Sequence, residues 1–450
     1  MKLKHTFCIG IFSILISFTA QAWENHTALT AAAVRNLPEI IDSESPQVES
    51  LESFLQAEKN GLATLLETQE SFAQSRIPTY PTLPSALKFT NASGTDAELK
   101  TRFLHALRVN PNSKTALYRY LVPGAPTPTE PSMAITDVTL VLGAFRGESP
   151  FVALREGDRA RAADVVASAA DEPDYGLDIG LWSDNKTDFG KAYAFGEQPF
   201  GDPTQEFGTQ APFHMGFYHE AKIIYAAAGF LKRTYPELRI YQFLSLAQYA
   251  FRTGHDYWGW RFTGWALHYI QDLTQPYHAR VLPGVSTLKM LWINILDKVG
   301  FHSFKNNRIT LVANRHLSLE NFEMHALVRA MTAHDDDSAL VRTLSDASGD
   351  WSAPNLEAFA FEDIRDRISA ESTRWCSMTD RALRKNLPRE YVYNPDYHFG
   401  VNDPEVNLLQ ILEDSGKMEE IQNLQNLLLQ VMKQVGPETR RFIRTAVYQK

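Results

Sequence analysis

Residues 264–280 read Gly-Trp-Ala-Leu-His-Tyr-Ile-Gln-Asp-Leu-Thr-Gln-Pro-Tyr-His-Ala-Arg, and this stretch constrains the chain more than any other. His268 and Asp272 are four residues apart, so on a helix they share one face and can hold one cation. Pro276 ends that helix, because the residue before a proline is pushed out of the α region. The chain then turns and brings His278 in from just past the helix end. A carboxylate flanked by two imidazoles within eleven residues is a metal site in waiting. The plainer alternative is a polar helix end with hydrogen-bonded histidines.

Whether partners exist depends on the rest of the chain. Its 450 residues are enough for one large or two ordinary domains, and 44% hydrophobic with 22% charged residues is the make-up of a soluble globular protein. A net charge of −9 offers no basic footprint for duplex nucleic acid or an anionic membrane. It leaves room for a phosphoesterase whose metals carry the positive charge locally. The first 22 residues have the pattern of a signal peptide: Lys2 and Lys4, an apolar run from Phe7 to Phe18, and Ala20-Gln21-Ala22 as a cleavage site. Export to the periplasm or beyond is therefore expected. Cys8 would leave with the leader, and Cys376 would be the only cysteine of the mature chain, so no intrachain disulfide is expected. Cleavage after Ala22 would make Trp23 the N-terminus, and a free α-amino group with its own carbonyl can chelate a metal.

The periodicity is helical almost throughout, with no alternating strand series. Helices are predicted over 26–37 (capped by Asn25 or Thr27), 50–75, 96–121, 214–232, 237–253, 257–275, 286–301, 317–333, 354–368, 370–385 and 404–434. Residues 170–213, rich in Asp, Gly, Phe and Pro, are predicted to be an ordered irregular loop near the site. The amphipathic segment 286–301 suits a membrane surface, but core packing is the preferred reading; the Leu/Ile stripe of 404–434 is likewise assigned to docking on the chain's own core. Trp258, Trp260 and Trp265 are read as core residues at helical spacing. Any one of them, or Tyr175 and Phe213, is an alternative wall for a cationic head-group pocket.

Metal-type residues gather in five segments. His316 and Glu320 repeat the four-residue spacing; Asp171 and Asp174 lie in the Asp/Gly-rich loop; His214 and His219 open the next helix; Trp23 and His26 lie at the start. Zinc suits this mixture of imidazole, carboxylate and amine, and the lack of cysteine argues for sites with an open position for water. At this point Leu267-His268-Tyr269-Ile-Gln-Asp272-Leu-Thr-Gln275-Pro276-Tyr-His278-Ala279 resembles the signature of the zinc-dependent phospholipases C and the related single-strand-specific nucleases, closest to the bacterial zinc metallophospholipases C.

That resemblance implies an all-α phospholipase C/nuclease-type helical domain over 23–340, with an insertion at about 40–165 and a helical C-terminal extension over 341–450 packed on it. It implies three zinc ions: one on Asp174, His214, His268 and Asp272, a second on His278, His316 and Glu320, and a third on Trp23 and His26, with Asp272 bridging the first and third. Asp174 and Asp272 would be the catalytic carboxylates, and a bridged water the nucleophile. Asp171 competes with Asp174, and His219 with His214. The Asp174–His214 gap and the stretch from His26 to Asp171 are longer than the family pattern. His302 sits in a family-like segment, but Asn306 stands where its glutamate partner would be. His105, His255 and His325 are read as structural or supporting residues, and His334-Asp-Asp-Asp337 as a solvated helix end. The implied partner is a phospholipid at a membrane surface, with no duplex nucleic acid and no stable protein partner. The alternatives are a nuclease/nucleotidase with the same site and a non-catalytic secreted protein stabilised by metal.

Overall fold

The computed structural model describes residues 25–142, 145, 148–201, 203, 207–350 and 359–448. It is an all-α protein. The first half carries α1 (His26–Val34), α2 (Pro38–Ile41), α3 (Leu51–Arg76), α4 (Asp96–Leu107), α5 (Ile135–Val138), α6 (Ala162–Ala170), α7 (Asp188–Ala192), α8 (Ala211–His214) and α9 (Lys222–Ala227). The middle carries α10 (Pro236–Thr253), α11 (Asp256–Thr274), α12 (Pro276–Ala279), α13 (Thr287–Lys298), α14 (His302–Thr332) and α15 (Ala339–Ser345). The chain closes with α16 (Ala370–Asn386), α17 (Arg389–Tyr393), α18 (Leu408–Asp414) and α19 (Met418–Tyr448). Two three-residue strands, β1 (Tyr118–Tyr120) and β2 (Phe151–Ala153), pair antiparallel with Tyr118 opposite Ala153.

Helix α11 is the axis of the fold. Every residue from Tyr257 to Thr274 is buried. A helix covered on all sides belongs in the interior, and any polar group on it must find a partner there. It packs against α10, α6 and α19. The approach of α6 depends on small residues. A Cβ added at Gly264 would lie 2.5 Å from the Ala169 Cβ and 2.6 Å from the Val166 carbonyl oxygen, so only glycine lets the two backbones come this close. The Ala-rich sequence of α6 is the matching half of that contact.

Two apolar clusters flank this axis. One joins α3, α4, α6, α10 and the apolar side of α11 to Phe442, Ile443 and Ala446 near the end of α19. The other joins α1, α14, α15, α16 and α18 to the first half of α19. Helix α19 thus enters both, and the Leu/Ile stripe of the C-terminal segment docks on the chain's own core. Among the described residues no helix is long and apolar enough to cross a membrane.

Several predicted elements change. The helix expected over 96–121 stops at Leu107, where Arg108 turns left-handed (φ 51°) and buries its guanidinium against the carbonyls of Pro81 and Tyr193. The chain then runs on as β1. The helix expected over 214–232 is only α9 and a 3₁₀ turn, because Met215 to Ala221 is held as an irregular segment around His278 and Glu220. The helix expected over 317–333 begins at His302, and 404–434 splits into α18 and α19 at Ser415-Gly416. Of the helix expected over 354–368, residues 354–358 lie outside the described residues, and Ile364–Ser369 forms a π-turn leading into α16. The described residues of the irregular loop over 170–213 are ordered, with short 3₁₀ and α turns.

Candidate metal centre

The polar side of α11 faces α1, α8, the 3₁₀ turn Glu172–Tyr175 and α14, at the seam between the two clusters. Three groups of ligand atoms meet there: His26, Asp174 and His268; His214, His268 and Asp272; and His278, His316 and Glu320. Eight of the nine sequence-predicted ligands are therefore brought together. The ninth, Trp23, and the leader with its cleavage site lie outside the described residues.

His268, His278 and His26 are each oriented by a second bond. His268 donates from Nδ1 to the Ala170 carbonyl (2.8 Å), a contact made possible by the close α6–α11 packing. Its Nε2 is left facing Asp272 Oδ2 (3.3 Å), Asp174 Oδ1 (3.7 Å) and His214 Nδ1 (2.9 Å). His278 donates from Nδ1 to the His214 carbonyl (3.1 Å), which turns its Nε2 to His316 Nε2 at 3.1 Å. His316 Nε2 lies 2.7 Å from Glu320 Oε1. His26 donates from Nδ1 to Gln271 Oε1 (2.8 Å), while the Gln271 amide nitrogen is held by Thr30 and Thr439; His26 Nε2 then faces Asp272 Oδ1 at 3.4 Å. Such backing bonds fix tautomer and ring orientation in histidine–metal sites.

The spacing fits a metal. Tetrahedral bonds of about 2.0–2.1 Å put neighbouring ligand atoms about 3.3 Å apart; the separations just given run from 2.7 to 3.7 Å, and within each group all ligand atoms lie within 4.8 Å of one another. Asp272 is the pivot. Its Oδ2 faces His214 and His268, and its Oδ1 faces His26. Glu320 Oε2 is buried without a hydrogen bond, and Asp272 Oδ1 and His26 Nε2 have only their long 3.4 Å contact with each other. Leaving a charged oxygen buried and unbonded is costly, and a cation at these positions would satisfy all three. The buried His/Asp/Glu groups can thus hold metal ions.

Electrostatics divide the ligands. Burial pulls the His278 and His316 imidazoles down to about 3, so both are neutral, the form that binds metal. Burial also opposes charge on His26 and His214. Hydrogen bonds and charge from Asp272, and for His214 also Asp178, overcome it and push these rings up to about 9 and about 10. Burial raises Asp272 too, but the surrounding imidazoles hold its carboxyl well below the usual range. Burial raises Asp174 and lifts Glu320 well above an ordinary carboxyl.

The competing candidates separate. Asp171 contacts the backbone of His26 and Thr27 and the Thr27 hydroxyl, at the start of α1. Asp174 faces the imidazoles and receives a bond from Gln210 Nε2 (2.9 Å). Asn25, not Thr27, caps α1, accepting from Ala28 N–H (2.7 Å). His219 is bonded to the Arg365 carbonyl (2.9 Å), His255 to Glu49, His302 to Asp297 and His325 to the Asn321 carbonyl. The tryptophans of α11 are core: Trp258 bonds the Glu49 carbonyl, Trp265 bonds Glu172, and Trp260 packs edge-on to Phe251. Phe213 is buried among Trp182, Phe195 and Tyr235, and Tyr175 packs on Phe145 and Phe151.

Besides Gln271, three residues were missed by sequence reasoning. Asp178 Oδ2 faces His214 Nε2 (3.4 Å) and accepts from Tyr269 (2.6 Å), while its Oδ1 takes the buried Arg239 Nε (2.8 Å). Gln275 caps α12 through Tyr277 N–H and donates to Glu320 Oε1 (2.8 Å). Glu172, bonded by Arg261 (3.1 Å) and Trp265, anchors the turn that carries Asp174. Gln275 lies inside the signature stretch, so its position was visible; nothing in the sequence marks the other two.

Comparison with known proteins found no matching family model, no matching characterised protein and no matching solved structure. The class defined by fold and site is an all-α protein with a buried, multi-ligand centre able to hold metal ions.

Proposed function

We propose that this chain is an exported zinc-dependent phosphodiesterase of the phospholipase C type, cleaving phospholipids to diacylglycerol and a phosphorylated head group. The observation that carries the reading is the convergence of three ligand groups, two of them sharing His268, with Glu320 Oε2 buried without a hydrogen bond. Metal ions bound there supply Lewis-acid stabilisation to a phosphodiester and lower the pKa of water. The signature from Leu267 to Ala279 supplies the substrate class.

In this reading His214, His268, Asp174 and Asp272 would hold one ion, and His278, His316 and Glu320 a second. His26 would hold the third, together with the amine and carbonyl that leader cleavage would give Trp23. Asp174 is the ligand that solvent reaches, with its side chain 13% exposed, whereas the imidazoles and Asp272 are closed off. Substrate therefore approaches on the Asp174 side. The burial-raised carboxyl of Asp174 takes up a proton more readily than a free aspartate. Asp272 stays ionised and orients three imidazoles at once.

The test is metal analysis of the mature protein together with two substrate assays: diacylglycerol release from phosphatidylcholine and nucleotide release from single-stranded DNA. The proposal requires bound zinc and lipid cleavage that Asp272→Asn abolishes. Release of nucleotides alone would keep the site and overturn the substrate. Zinc-loaded protein that cleaves neither would overturn the enzyme reading.

A further inference from the structure

The segment 286–301, assigned from sequence to core packing, is only half buried. Met290 and Ile293 face inward on α13, against α9 and α14. On the opposite side Leu288 is 80% exposed, Trp292 60%, Ile295 50% and Val299 65%, and Phe301 and Phe304 follow at 56% and 55%. Positions 288, 292, 295 and 299 make a single stripe along the helix. Single exposed apolar side chains are ordinary, but a contiguous group of this size marks an interaction surface. Elsewhere among the described residues the exposed large apolar side chains are scattered.

Charge selects the occupant. Between Ser286 and Arg308 there are four cationic side chains, Lys289, Lys298, Lys305 and Arg308, and one carboxylate, Asp297; Lys305, only 12% exposed, neutralises Asp297 and leaves Lys289, Lys298 and Arg308 as the surface cations. Asp297 is bound by Lys305 (2.8 Å) and His302 (2.7 Å). The whole chain carries −9, so this is a locally cationic surface on an acidic protein. Two copies docked through it would set like charges against each other. An anionic lipid surface offers both what the apolar stripe and what the flanking lysines require, and Trp and Phe are suited to the boundary between acyl chains and head groups. Helix α14 runs unbroken from this patch to the metal-type ligands; at 1.5 Å per residue, Phe304 and His316 are about 18 Å apart along it.

We infer that the exposed face of α13, with Phe301 and Phe304 at the start of α14, is a docking surface for anionic phospholipid bilayers. The inference goes beyond the proposed activity and does not depend on it.

The test is flotation of the mature protein with vesicles of phosphatidylglycerol and phosphatidylcholine, and with vesicles of phosphatidylcholine alone. Flotation reads lipid binding without turnover, so a protein that floats but cleaves nothing supports this inference while the enzyme reading fails. The expected result is binding to the anionic vesicles that falls at least tenfold in Leu288→Ser/Trp292→Ser, and falls in Lys289→Glu/Lys298→Glu. All four positions are exposed, and thermal unfolding of each variant should match the parent. Absence of flotation with either vesicle, or flotation unchanged in both double variants, would overturn the inference. A dimer that Leu288→Ser/Trp292→Ser converts to monomer, without lipid binding, would also overturn it and assign the surface to a second copy.

Discussion

Replacing Gly264 by alanine tests the link between packing and the metal centre. The added methyl would sit 2.5 Å from the Ala169 Cβ, 2.6 Å from the Val166 oxygen and 3.0 Å from the Ala169 carbonyl carbon. Carbon atoms pack comfortably at about 3.5–4.0 Å, so α6 and α11 would have to part by about 1 Å. Two of the three obstructing atoms are backbone and have no rotamer to move into. Overpacking of this kind costs about 1–3 kcal/mol. The same displacement would stretch the 2.8 Å bond from His268 Nδ1 to the Ala170 carbonyl beyond hydrogen-bonding range. Loss of such a backing bond lowers metal affinity by about 10–100-fold. The assay is thermal unfolding of metal-loaded and chelator-treated protein, with a competitive zinc titration. Gly229→Ala is the control, because nothing lies within 4 Å of its added Cβ. If Gly264→Ala left both Tm and zinc affinity at parental values while Gly229→Ala did the same, the argument that α6 positions His268 through close packing would be wrong.

Zinc uptake should release protons unequally across the centre. His26 and His214, at about 9 and about 10 in the metal-free protein, are protonated at neutral pH and must each lose a proton to bind. Affinity there should rise by about tenfold per pH unit per ring as pH climbs towards 9. His278 and His316, at about 3, have no imidazole proton to release, leaving only the proton of the raised Glu320 carboxyl; calorimetry in buffers of different ionisation enthalpy measures the difference. In the metal-free protein the raised His26 and His214 contribute stability below about pH 6.5 that is lost as pH rises through 9 to 10. Chelator-treated protein should therefore lose that part of its stability on the alkaline side, where zinc binds best, as thermal melts across pH would record. Asp178→Asn removes the countercharge of buried Arg239 and should destabilise the fold by about 3–5 kcal/mol, read by urea unfolding. Gln275→Leu takes the donor from Glu320 and should weaken zinc at the His278–His316–Glu320 group more than at the others, seen as one zinc lost first on stepwise chelation.

Helical class, the His268–Asp272 face, the break at Pro276 and the His316–Glu320 pair were legible because each depends on residues a few positions apart. A helix places i and i+4 together whatever surrounds it, and a proline restricts its neighbour in any context. Where the chain leaves regular structure, local pattern stops being informative. Asp171 and Asp174 are three residues apart, yet one caps the approach of α1 and the other faces the imidazoles. The choice is made by Arg261 and Trp265, which anchor Glu172 from α11. His214 enters the centre and His219 does not, because the segment between them is pinned by the His214 carbonyl bond to His278. Asp178 and Gln271 matter only through partners from distant parts of the chain. The same holds for 286–301: periodicity identified an apolar helix, but only the tertiary structure shows that one face is covered and the other open. Sequence by itself determined which residues can share a helical face; tertiary structure decided what each face meets, because burial and long-range hydrogen bonds are properties of the assembled fold.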